Sequence, residues 1–164
     1  PILELSRIES GNMSFHCEDC SAHHFAETVY QTHQVIILPP VEFIKEFPDE
    51  DVTIHIDRMR LTQVITNFLG NAKKFTSQGH IKLGYFCDKE KKEIHFFVED
   101  TGAGIPKEEL QMIFERFYKR NEFVQGVGLG LAISKVIVEK MNGHIDVQSE
   151  VNKGSRFTAV LPYL

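Results

Sequence analysis

Residues 93–106 read EIHFFVEDTGAGIP, and they decide the fold. Period-two alternation sets Ile94, Phe96, Val98 and Asp100 on one face of a strand. Asp100 thus follows three inward-facing apolar side chains and lies at the edge of a core, partly desolvated, where a carboxylate is costly without donors. Glycines at 102 and 104 follow at once. Two readings compete. DTGAGI can be an Asx turn in which Asp100 satisfies its own backbone. Alternatively, Asp100 accepts hydrogen bonds from a flat ligand with an exocyclic amine, while Gly102 and Gly104 let the backbone approach it.

Working outward, the turn DKEKK joins this strand to one at 80–87, giving a hairpin. Upstream, RMRLTQVITNFLGNAKKF (58–75) predicts a helix. Leu61, Val64, Ile65, Phe68, Leu69, Ala72 and Phe75 fill one apolar arc. Gln63, Asn67, Asn71 and Lys74 form a separate narrow stripe of amides and one cation, where a solvated face usually carries Glu and Lys. Further strands are expected at 14–19, 41–47, 52–56, 144–150 and 155–162. Helices are expected at 22–36, at 107–115 after Pro106, and from about 129 to 141, ending at Asn142-Gly143. Residues 1–10 repeat apolar side chains up to Gly11, as the end of an amphipathic helix would. The expectation is an α/β (α+β) two-layer sandwich: a mixed, mostly antiparallel sheet covered on one face by about three helices.

Composition narrows the function classes. With 164 residues, 42% hydrophobic and 25% charged, the chain suits one domain with a sizeable core. A net charge of −5 with mixed signs argues against an extended nucleic-acid surface. No apolar run approaches the roughly 18 residues of a membrane span. The chain starts at Pro1 and reads as an excised piece. Three cysteines fit a reducing compartment. CEDCSAHH places Cys17, Cys20, His23 and His24 within eight residues, a spacing able to hold zinc. Alternation instead puts Phe15 and Cys17 on one strand face, and no second ligand pair follows, so a buried thiol among incidental polar residues is the preferred reading.

A second glycine cluster, GVGLGLAIS (126–134), runs straight into a helix. Free N–H groups and the positive dipole end there favour phosphate. Neither cluster reads G-x-G-x-x-G, because Lys107 and Leu131 hold the sixth positions, and no G-x-x-x-x-G-K-[ST] is present. An Asn oxygen is a hard ligand suited to Mg²⁺, which takes its remaining ligands from water and phosphate. Lys74 is one turn beyond Asn71 and can neutralise a phosphate oxygen. Amides, lysine, a recessed aspartate and a glycine loop before a helix amount to a Mg-nucleotide site assembled from three distant segments.

These motifs resemble, in order, those of the catalytic and ATP-binding domain of sensor histidine kinases, in the superfamily shared with gyrase-type, chaperone-type and mismatch-repair ATPases (the GHKL, or Bergerat-fold, proteins). NFLGNAKKFT (67–76) resembles the N box, DTGAGI (100–105) the first glycine box, FERFY (114–118) the F box, GVGLGLAISK (126–135) the second glycine box and GSRF (154–157) the last. ILELSRIESG (2–11) resembles the end of the second dimerisation helix.

The resemblance implies residues 1–11 as that helix end and 12–164 as the catalytic domain. It implies ATP and Mg²⁺ as ligands, with Asn71 on the metal, Asn67 near the phosphates, Lys74 on them and Asp100 on the adenine amine. Gly102, Gly104 and Ile105 would line the base. A lid over 117–127 would bring Tyr118, Lys119 and Arg120, with Gly126, Val127, Gly128, Leu129, Gly130 and Leu131 cradling phosphate. Lys119 stands where the family often has arginine; a lysine keeps the charge but loses bidentate phosphate geometry. The implied partners are the parent's dimerisation helices in a homodimer and a response-regulator receiver domain. The implied setting is cytoplasmic, in a parent whose membrane anchoring lies outside this sequence. None of the eight histidines has the acidic residue and proline that follow the family's phosphoacceptor, so that helix is not in this chain. Two rivals remain: a docking module that does not use ATP, and a gyrase- or chaperone-type ATPase, which would carry a catalytic glutamate where this chain has Asn67.

Overall fold

A computed structural model describes residues 13–115 and 130–163. In chain order the elements are β1 (Glu18–Ser21), α1 (Ala22–Gln34), β2 (Val41–Glu46), β3 (Thr53–Ile56), α2 (Arg58–Phe75), β4 (Gly79–Asp88), β5 (Glu93–Asp100), a 3-10 turn (Lys107–Glu109), α3 (Gly130–Lys140), β6 (His144–Glu150) and β7 (Gly154–Pro162). Five strands form one sheet in the order β2-β4-β5-β7-β6, with β2 parallel to β4 and every other neighbour antiparallel. β1 and β3 pair separately as a two-stranded ribbon.

The alternation expected for β5 is observed. Ile94, Phe96 and Val98 meet Ile81, Leu83 and Tyr85 of β4 and Phe157, Ala159 and Leu161 of β7 on one face of the sheet. Onto that face pack Phe25, Ala26 and Val29 of α1, Leu61, Val64, Ile65, Phe68, Leu69 and Ala72 of α2, and Ile133, Ile137 and Val138 of α3; Phe75, expected in the same arc, is half-buried at the helix end and outside this core. The mixed, largely antiparallel sheet under three helices is the architecture expected from the sequence.

The α2 N-terminus explains how the first described residues are tied down. The Asp57 carboxylate accepts from Arg60 N at 3.0 Å as the cap, and from His16 N at 2.8 Å. Asp57→Ala removes the partners of two backbone donors, and caps alone contribute about 1–2 kcal/mol. We expect a midpoint shift of that size in chemical denaturation; a variant as stable as the parent would show the cap idle.

Several expected boundaries move. The strand expected at 14–19 is instead Glu18–Ser21, because residue 16 is bonded to the α2 cap and not to a strand neighbour. The buried thiol is accordingly Cys20, while Cys17 is exposed. The helix after Pro106 is only a 3-10 turn followed by i→i+3 bonds such as Met112 N to Glu109 O, 2.9 Å; Pro106 supplies no side-chain cap. The i, i+3, i+4 spacing of Leu110, Ile113 and Phe114 that suggested a helix still packs these residues on the core. α1 stops at Gln34, where Ile36 N and Ile37 N both turn back to the His33 carbonyl. α3 ends in a Schellman motif, with Gly143 N on Val138 O and Asn142 N on Glu139 O, both 3.0 Å. Asn142 itself takes the left-handed position, φ 65°.

Candidate functional site

Asp100 ends β5 against α2. Its carboxylate Oδ1 accepts from Gly102 N at 2.8 Å, so the Asx turn is present. The side chain is nonetheless buried, at 7% exposure. Burial pushes its pKa up; the Gly102 and Ser155 N–H groups and the Thr76 hydroxyl oppose this, and the Glu99 charge adds to it. The turn therefore supplies one donor to a carboxylate whose burial still raises its pKa.

The loop is fastened to the end of α2. Ala103 N donates to Phe75 O at 3.2 Å, one turn beyond Asn71. On the other side Asn152 N donates to Ala103 O at 2.7 Å, and Ile105 N to Ser149 Oγ at 2.7 Å. A Cβ at Gly102 would lie 2.3 Å from Phe75 O and 2.7 Å from Thr76 Oγ1. Gly104, at φ +73°, would put one 2.0 Å from Glu150 O. The first requirement for these glycines is thus the protein's own backbone.

Thr76 is the residue that sequence reasoning missed. It is the C-cap of α2 in extended conformation, 5% exposed, and its Oγ1 is buried without a hydrogen-bond partner. That atom sits beside Asp100 and favours its ionised form without completing a bond to it. A buried, unsatisfied hydroxyl is costly, and this one adjoins a buried carboxylate. The only sequence signal was its place at the end of the amide-bearing helix.

On α2 the predicted stripe lies between core and solvent. Asn67 and Asn71 are half-buried and Lys74 is exposed in the last turn. Asn67 Nδ2 donates to the Gly130 carbonyl and to Ser134 Oγ, each at 3.1 Å, and Ser134 donates to the same carbonyl at 2.8 Å. A carbonyl only accepts, so the nitrogen of Asn67 faces it and both amide hydrogens are used. Oδ1 is what Asn67 has left for a ligand. This clamp holds the first residue of α3 against α2, bringing the N-terminus of α3 beside the stripe. Gly130 and the half-buried Leu131 begin α3. Tyr118, Lys119, Arg120, Gly126, Val127, Gly128 and Leu129 lie outside the described residues, as do residues 1–11.

The Cys17, Cys20, His23, His24 set does not assemble. Among the described residues, no metal-ligating group of three includes any of them. Burial also pushes the Cys20 thiol up, against the thiolate that zinc requires.

Three segments thus converge: the amide stripe of α2, the loop after β5 and the start of α3. Residues 56–164 match the model of a family described as histidine kinase-, DNA gyrase B-, and HSP90-like ATPase. The chain belongs to that family. Among curated relatives, sensor histidine kinase WalK of Bacillus subtilis is 34% identical over 167 residues, covering 99% of this chain and 27% of WalK. Sensor protein SrrB of Staphylococcus aureus is 44% identical over 110 residues, 65% of this chain and 19% of SrrB. The chain spans about a quarter or less of the length of these relatives. Among solved structures, full-length ShkA in complex with AMPPNP matches with a TM-score of 0.90 at 27% identity, over 99% of this chain and 34% of that one. A nucleotide-free catalytic domain of histidine kinase ThkA matches at 0.80 and 28%, over 91% of this chain and 97% of that domain.

Proposed function

We propose that this chain is the ATP-binding catalytic domain of a sensor histidine kinase, which passes the ATP γ-phosphoryl group to a histidine on a dimerisation helix outside this sequence. The observation that carries the reading is the pairing at the end of β5. A buried carboxylate, its pKa raised by burial, and a buried, unpartnered Thr76 hydroxyl present an acceptor beside a donor. The adenine edge, with its 6-amino donor and N1 acceptor, complements both. The AMPPNP bound by ShkA supports the same nucleotide class.

In this reading Asp100 fixes the base, and the half-buried Ile105 covers an apolar edge of the ring. Asn71 offers an amide oxygen to Mg²⁺, a hard ion that suits such a ligand; the metal supplies charge neutralisation across the phosphates. Asn67 acts first as a positioning residue, holding the start of α3 beside the phosphates, where a helix N-terminus favours an anion. Lys74, Lys119, Arg120 and the 126–131 glycine segment complete the phosphate side. Phosphoryl transfer asks little covalent work of such a site; alignment and charge stabilisation carry it. The reading includes residues 1–11 as the end of the dimerisation hairpin and 12–164 as the catalytic domain. It includes a homodimeric parent with a response-regulator partner, and a cytoplasmic setting. Among the described residues no helix is long and apolar enough to cross a membrane.

Titration calorimetry with Mg-ATP should give one saturable site, and radiolabelled ATP should leave no phosphohistidine on the chain alone. Absence of heat would sink the ATP reading, and label on any of its own histidines would sink the assignment of the acceptor to another helix. The affinity should also fall on acidification. The adenine amine requires the ionised carboxylate, while burial holds the free-state pKa of Asp100 above the ordinary aspartate range. Binding therefore weakens as pH drops through that raised value, sooner than a solvated aspartate would dictate. A flat profile across mildly acidic pH would show that Asp100 does not accept from the ligand.

A further inference from the structure

The sheet face turned away from the helices carries a cluster that the nucleotide reading leaves unused. Ile94, Phe96 and Val98 point into the core, so Glu93 and His95 point to the opposite side. Asp88 lies directly across the ladder from Glu93. One ligand atom from each of Asp88, Glu93 and His95 lies within 4.8 Å of the other two. His95 Nε2 is buried and has no hydrogen-bond partner. As an acceptor it lacks a donor, and as a donor it lacks an acceptor. Its neighbour, Glu93 Oε1, is 3.9 Å away. That is too long for a hydrogen bond, yet it suits two ligands sharing one ion at about 2.0–2.2 Å each.

The geometry around the three is already fixed. The Phe86 ring stacks on the His95 imidazole with centroids 4.5 Å apart and planes at 16°. Asp88 Oδ1 accepts from Glu90 N and Lys91 N, both at 3.1 Å, which orients the carboxylate as outer hydrogen bonds orient a metal ligand. Like charges directly opposite across a ladder repel. Lys89, beside Asp88 in sequence, is paired with Glu50 at 2.8 Å. A cation between Asp88, Glu93 and His95 would relieve the repulsion and satisfy the orphaned nitrogen together.

We propose that Asp88, Glu93 and His95 form a binding site for a first-row divalent metal ion of the zinc type, on the sheet face opposite the nucleotide. One imidazole nitrogen and two carboxylates match an ion that takes three protein ligands and completes its shell with water. Mg²⁺ and Ca²⁺ prefer all-oxygen shells. The ion would cross-link the two strands of the β4–β5 hairpin, and a ligand bound only by the folded state raises the melting temperature.

The test is a Co²⁺ titration of the nucleotide-free chain without Mg²⁺, followed by visible absorption and thermal melting. The expected result is one saturable site at micromolar concentration, weak d–d bands without an intense thiolate charge-transfer band, and a metal-dependent rise in melting temperature. Glu93→Gln and His95→Gln should each weaken binding at least tenfold, and Cys17→Ser should leave it unchanged. Glu93 is on the open face, so Glu93→Gln keeps the test informative if the histidine variant folds poorly. No saturable binding below millimolar Co²⁺, a thiolate band, or undiminished affinity in Glu93→Gln would overturn the proposal.

Discussion

Asp100→Asn is expected to lower the affinity of this chain for Mg-ATP by at least about a hundredfold, the loss of about 3 kcal/mol that follows when a buried polar partner is left unmatched. The amide can still accept from Gly102 N through its oxygen, so the turn survives. What changes is the second position, where an NH₂ group would face the adenine amine, donor against donor. The fold should not suffer. Burial raises the folded-state pKa of Asp100 above its unfolded value. The ionised group therefore costs stability at neutral pH, a cost removed as pH falls through the raised pKa and absent altogether for asparagine. The variant should melt at or above the parent's temperature while calorimetry with Mg-ATP gives no heat. Binding within threefold of the parent would remove Asp100 from the site.

This contrast between a tolerant fold and an intolerant site also explains what was legible in the sequence. The period of β5 and the apolar arc of α2 were readable because burial imposes them: Ile94, Phe96 and Val98 face one core with Leu61, Val64, Ile65, Phe68, Leu69 and Ala72. The amide stripe and the recessed aspartate stood out by violating the same patterns. Less legible were features set by partners remote in sequence. His16 is drawn out of strand pairing by Asp57, forty-one positions away. Thr76 is marked only by an unsatisfied atom, and no spacing encodes that. The resemblance puts Asn67 near the phosphates, but its nitrogen is bound to Gly130 and Ser134 of a helix that begins sixty-three residues later. The glycines of the two clusters were alike on paper. Their surroundings separate them.

That separation gives the second large effect. Gly102→Ala should destabilise the chain by about 3 kcal/mol, combining overpacking with loss of the hydrogen bond that docks the loop. Its Cβ would meet Phe75 O at 2.3 Å and Thr76 Oγ1 at 2.7 Å; the first is backbone at the end of α2 and cannot swing aside. The loop must lift, breaking the 3.2 Å bond from Ala103 N to Phe75 O and carrying Asp100 away from Thr76. Stability and nucleotide affinity should fall together. Gly130→Ala is the matched control. There the new Cβ would sit 3.5 Å from Asn67 Cγ, an ordinary contact, and alanine is the better helix former. It should fold at least as well as the parent. Denaturant unfolding of both variants decides the matter. If Gly102→Ala were tolerated as well as Gly130→Ala, the loop would not be held by the end of α2, and the convergence of Asn71 with Asp100 would lose its physical basis.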